Sequence, residues 1–80
     1  MTTEQAKNIT VTALWDNEAS VWVAESDDVP GLIAEAETIE ALLSKLDILI
    51  PELLELNQGI KLESIPINLK AERSLVLSHG

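Results

Sequence analysis

Five carboxylates, Glu25, Asp27, Asp28, Glu35 and Glu37, fall within the single stretch "ESDDVPGLIAEAET", which contains no Lys or Arg. Carboxylates at close quarters can hold a divalent cation through their oxygens, or divide the roles of general acid and general base. A magnesium-dependent nuclease site is the sharpest enzymatic reading of such a group. The third use involves no reaction: acids held on ordered backbone form a surface for a basic protein. The residue types around them favour this third use. No histidine and no supporting polar cluster accompanies the acids, and these are what would tune a catalytic carboxylate. Asp27 and Asp28 are neighbours in a turn, and a metal site would further require Glu25 to lie on a strand beside Glu35 and Glu37. The only histidine, His79, is the penultimate residue. The serines lack a Gly-x-Ser-x-Gly elbow, and there is no glycine-rich phosphate loop. No catalytic residue, metal ligand or cofactor is therefore assigned, and the chain reads as a non-enzyme.

The wider charge pattern points the same way. Between Asn8 and Ser44 there are eight acids and no Lys or Arg, whereas from Lys45 onward five acids face four bases. The chain carries a net charge of −9, concentrated in its first half. Such a field repels nucleic-acid phosphates and speeds encounter with cationic proteins. Direct nucleic-acid binding by this chain alone is not expected. Absence of cysteine excludes disulfides and thiolate metal sites, and neither a signal peptide nor a membrane span is legible. A cytoplasmic location is the simple expectation.

The acids must be positioned by the elements around them. "NITVTALW" alternates Ile9, Val11, Ala13 and Trp15 with Thr10 and Thr12, the period of a strand. "DNEA" supplies turn chemistry, and "SVWVAES" returns as a second strand, giving an antiparallel hairpin. Pro30 and Gly31 fit the two central positions of a type II turn. "LIAEAET" then forms a third strand, with Leu32, Ala34 and Ala36 on one face and Ile33, Glu35 and Glu37 on the other. From Ile39 the period changes to that of a helix, with a stripe of Ile39, Leu42, Leu43, Leu46, Leu49, Ile50, Leu53 and Leu54. Thr38 is the expected N-cap, and Asn57 or Gly59 the C-terminal cap. Pro51 predicts a kink or restart, while Ile48 lies off the apolar stripe. "LESIPINLKAERS" resumes period two, with Ile65, Ile67, Leu69 and Ala71 inward, and Pro66 marks an edge strand. The order is β-β-β-α-β, an α+β fold with an antiparallel or mixed sheet and one helix on one face, in a single domain spanning 1–80 with an ordered core of about 8–72. A chain of this length buries only about 60% of its unfolded surface, so a homodimer or larger oligomer is expected. Ile33 and Ile48 are the candidate oligomer contacts.

The run of Trp22-Val23-Ala24, Asp28-Val29-Pro30-Gly31 and Thr38-Ile39-Glu40-Ala41-Leu42, followed by a Leu-rich helix, resembles the HicB-like antitoxin family, most closely its small single-domain variant. The resemblance covers Ile9 to about Leu69. It implies a fold similar to a truncated ribonuclease-H fold without nuclease activity. It also implies a partner: a small basic HicA-like toxin that cleaves mRNA and is masked by the antitoxin. The eleven residues after Leu69 are too few for the C-terminal DNA-binding domain of many such antitoxins, so operator binding is not expected of this chain. From chemistry and placement, Glu25, Asp27, Asp28, Glu35 and Glu37 would supply charge to the partner, Trp22 would anchor it, and Pro30-Gly31 would hold the turn. The alternatives are a homo-oligomeric module without a toxin, or a divalent-metal nuclease.

Overall fold

The computed structural model describes residues 8–59 and 65–78. His79 and positions 62–64 of the expected last strand lie outside the described residues. The elements are β1 (Ile9–Asp16), β2 (Val21–Glu25), β3 (Ile33–Ala36), α1 (Ile39–Gln58) and β4 (Ile67–Glu72), and the expected β-β-β-α-β order is present. They build one four-stranded mixed sheet, ordered β3-β2-β1-β4, with α1 against one face. β1 pairs antiparallel with β2, and β2 with β3. β4 pairs parallel with β1. A parallel return needs a long crossover, and α1 provides it by carrying the chain from the β3 edge to the opposite edge of the sheet.

Period-two patterning decides which face the helix covers. Ile9, Val11 and Ala13 of β1, Ala24 of β2, and Ala34 and Ala36 of β3 are buried beneath Leu42, Leu46, Ile50 and Leu54 of α1. Alanines on β2 and β3 leave room for the leucine and isoleucine side chains of the helix. Each such side chain, fully buried, contributes about 1.5–3 kcal/mol. The apolar stripe of α1 proves narrower than the sequence pattern implies, since Leu43 is 45% exposed. Leu43 faces the flank where β4 lies beyond the reach of close helix packing, leaving a groove lined by Leu43, Leu46, Ile67 and Leu69.

Both ends of α1 are capped as their residues predict. Thr38 is extended (φ −131°) and its Oγ1 accepts the Ala41 N–H at 3.0 Å. Gly59 adopts the left-handed conformation (φ 67°), and its N–H donates to the Glu55 carbonyl at 3.0 Å. The helix runs through Pro51 without a break. The expected restart does not occur, because Pro51 lies on the solvent side, where the carbonyl it leaves without a helical donor can be hydrated. Leu32 N–H donates to Val29 O at 3.1 Å across Pro30 and Gly31, and Gly31 has φ 86°. This is the type II turn that Pro-Gly encodes. Asn57 Nδ2 donates to Pro30 O at 3.0 Å, so the last turn of the helix holds the loop between β2 and β3 in place.

Candidate interaction surface

The side of the sheet opposite α1 has no covering element among the described residues. Its residues follow from strand register. One row runs Ile33, Glu25, Thr12, Lys70 across β3, β2, β1 and β4, and the next runs Glu35, Val23, Leu14, Glu72. Ile33 is 72% exposed and Leu14 47% exposed, with Val23 half-buried between the acids. Val23 and Leu14 thus lie side by side in the middle of this face, with Glu35 and Ile33 on the β3 edge, Glu25 beside Ile33 on β2, and Lys70 and Glu72 at the β4 edge. Strand pairing holds these backbones at fixed spacing, so the acids are presented without a loop having to order.

The sequence-predicted residues separate into three places. Glu25, Glu35 and Ile33 share the open face. Glu37 is exposed just past β3, in a shallow depression with Val21, Thr38 and Lys45, and the Lys45 ammonium donates to the Glu35 backbone carbonyl. Asp27 is exposed in the turn after β2.

Asp28 has a different task from the one its charge implies. Its Oδ2 accepts the Thr10 N–H at 2.9 Å, while Ser26 Oγ donates to Thr10 O at 2.6 Å and accepts the Asp28 N–H at 3.0 Å. The β1–β2 ladder ends at the Thr12–Glu25 pair, and these two side chains satisfy the next backbone groups of β1. Asp28 is therefore half-buried and engaged in the fold. Serine and aspartate placed just beyond a strand have this capacity to bond backbone in place of a ladder, and that was the available signal.

Trp22 also departs from its expected place. It is half-buried on the helix-facing side, directly opposite Trp15 in the hairpin, with ring centroids 5.4 Å apart in an edge-to-face arrangement. Arg73 Cζ stands 3.9 Å from the Trp15 ring centroid, and Trp15 Nε1 donates to Asn17 Oδ1 at 2.9 Å. Trp22 shares parity with buried Ala24 rather than with Val23 and Glu25, which puts it on the opposite face from the acids. Ile48 is 62% exposed on the helix, away from Ile33.

Among the described residues no group of three or more Asp, Glu, His or Cys is gathered closely enough to hold a metal ion. The strand geometry explains this: Glu25 pairs with Ile33, and Glu35 pairs with Val23, so neither acid stands directly opposite the other. No described helix is long and apolar enough to cross a membrane.

The family model described as "Domain of unknown function (DUF1902)" matches residues 8–78, from the start of β1 to beyond β4. The chain belongs to the DUF1902 family. A crystal structure of the hypothetical protein TTHA1013 from the extreme thermophile Thermus thermophilus is similar to this DUF1902 chain at 54% identity and a TM-score of 0.76, covering 89% of this chain and 100% of that one. No protein with curated function matches. The DUF1902 match spans the whole sheet and helix, so the open face and the caps described above all fall inside the family's domain.

Proposed function

We propose that this DUF1902 domain is a non-catalytic, antitoxin-like binding protein whose acidic open sheet face masks a basic protein partner. The observation that carries the reading is the sheet face that no described element covers, where Val23 and Leu14 lie side by side and Ile33 stands at the β3 edge, with Glu25 and Glu35 among them. An apolar core with charge at its border is the general anatomy of a protein interface, and the acids would steer a cationic partner and fix its orientation. The HicB-like resemblance makes a small HicA-type mRNA-cleaving toxin the partner class. Glu25 and Glu35 supply the facing charge, Glu37 and Asp27 supply charge at the periphery, and Asp28 acts through the loop it holds rather than by contact. Trp22, packed on the other face, has no direct role in this mechanism.

The test takes the small basic protein encoded beside the gene, or any that co-purifies from the native host, and measures binding by titration calorimetry at low and high salt. Binding that weakens with salt, falls by at least about tenfold in Glu25→Lys/Glu35→Lys and suppresses the partner's RNA cleavage supports the proposal. Failure of every such basic protein to bind overturns it.

A further inference from the structure

β4 and the segment after it combine a strand edge, apolar side chains and charge in one place. Among the described residues no strand lies beyond β4. The Ile9 N–H donates to Pro66 O at 3.1 Å, so Pro66 turns its carbonyl toward β1. The alternation of a parallel ladder then directs the N–H and C=O of Ile67, Leu69 and Ala71 outward, to the open edge. The proline's missing donor falls on the inner side and does not interrupt that edge. Immediately after β4, Leu75, Val76 and Leu77 are 66%, 94% and 77% exposed. An open edge continued by exposed apolar residues is a template for pairing with another chain.

We infer that two copies of this chain pair β4 with β4 antiparallel, on a two-fold axis at Ala71, so that the residues after β4 in each copy extend along the other's edge. The register follows from charge. With the axis at Ala71, Lys70 stands opposite the partner copy's Glu72, and Glu72 opposite its Lys70, giving two reciprocal ion pairs on the open face. An axis at Lys70, Glu72 or Arg73 would set each charged residue against itself, and like charges directly opposite are destabilising. An axis at Leu69 would leave the residues from Arg73 onward with no strand beside them. At Ala71 the axis also carries a small side chain, and it pairs residues whose backbone groups point outward.

The same register disposes of the exposed apolar residues. Arg73 lies over Trp15 on the helix-facing side, as the alternation Ile67, Leu69, Ala71, Arg73 requires, and Leu75 and Leu77 continue that parity. Directly opposite residues in an antiparallel pair share a face. Leu75 therefore comes to lie beside the other copy's Ile67, at the mouth of the groove of about 400 Å³ lined by Leu43, Ser44, Leu46, Asp47, Ile67 and Leu69. Ile67 and Leu43, at 37% and 45% exposed in the single chain, would both lose water.

Charge also selects this edge over the other one. From Ile65 to Ser78 the chain has Lys70 and Arg73 against Glu72 alone, so the interface joins the least acidic parts of two strongly acidic molecules. Pairing through β3 would bring Glu35 and Glu37 of both copies together. The β4 dimer leaves Glu25 and Glu35 open in each copy, and it does not depend on the function proposed above.

Charge exchange provides the test, read by sedimentation equilibrium with circular dichroism confirming the fold. The unmodified chain is expected to be a dimer. Lys70→Glu and Glu72→Lys should each weaken it by roughly tenfold or more by setting like charges opposite, and the double exchange K70E/E72K should restore it. Leu75→Asp should dissociate the dimer, whereas Ile33→Asp and Ile48→Asp should leave it intact. A monomer at all concentrations, single reversals without effect, a double exchange that does not recover the dimer, or dissociation by Ile33→Asp or Ile48→Asp would overturn the inference.

Discussion

The Asp28 carboxylate accepts the Thr10 N–H at 2.9 Å, eighteen positions apart in sequence, and so holds the β2–β3 loop against the first strand. The bond stands where a strand residue would otherwise supply a backbone carbonyl. Removing the acceptor leaves a part-buried N–H without its partner, at a cost of about 1–2 kcal/mol. Asp28→Ala should lower stability by that amount in urea unfolding, whereas Asp27→Ala, exposed one residue earlier, should stay within about 0.5 kcal/mol of the parent. Asp28→Asn keeps an acceptor oxygen and should fall between the two.

Gly31 provides a separate measure of the same loop. Its φ of 86° disfavours any side chain, yet a Cβ there would meet nothing nearer than Leu53 Cδ2 at 3.9 Å. Gly31→Ala should therefore cost only the backbone term of about 1–2 kcal/mol, with no packing penalty added. A larger loss, accompanied by a change in the denaturant slope, would mean that the turn had reorganised.

The architecture was legible because each element carries its own period. The alternation from Ile9 to Trp15 and the helical stripe from Leu42 to Leu54 set element types, and Thr38, Gly31 and Gly59 set their ends. Two functional assignments were not legible for one shared reason: side-chain direction depends on where a neighbouring strand stops. Parity alone leaves open whether Trp22 or Val23 faces the helix, and only pairing with β1 and β3 selects Trp22. Asp28 looks like surface charge until the β1–β2 ladder is seen to end at Glu25, where its carboxylate becomes the next acceptor. Arg73 over Trp15 had no local signal, because its contact is made across the parallel β1–β4 pairing. Alternation placed Glu35 on the face opposite the buried Leu32, Ala34 and Ala36, whereas the face of Glu25, like that of Val23, is set only by the pairing of β2 with its neighbours.

Arg73 and Trp15 form a measurable unit. The guanidinium carbon stands 3.9 Å from the ring centroid, and such contacts at accessible sites contribute about 0.5–1 kcal/mol. A double-mutant cycle of Arg73→Ala with Trp15→Leu should return a coupling energy of that size. Arg73→Ala alone should also alter tryptophan fluorescence in a Trp22→Phe background, where Trp15 is the sole emitter.

Pro51 is the residue of α1 whose replacement should stabilise the chain. It sits inside an unbroken helix from Ile39 to Gln58, exposed to solvent, so no core contact depends on its ring. As proline it supplies no N–H to the carbonyl four residues back, at Asp47, and it crowds that group; in a helix interior this costs about 3 kcal/mol relative to alanine. Asp47 is exposed, so water can hydrate the carbonyl that the proline leaves without a donor, which offsets part of that cost. Pro51→Ala should therefore raise the unfolding free energy by about 1–2 kcal/mol and increase helical ellipticity, and both can be followed in one thermal or urea titration. A destabilised Pro51→Ala variant would show instead that the chain uses the proline's local geometry to aim Leu53 and Leu54 at the turn around Gly31.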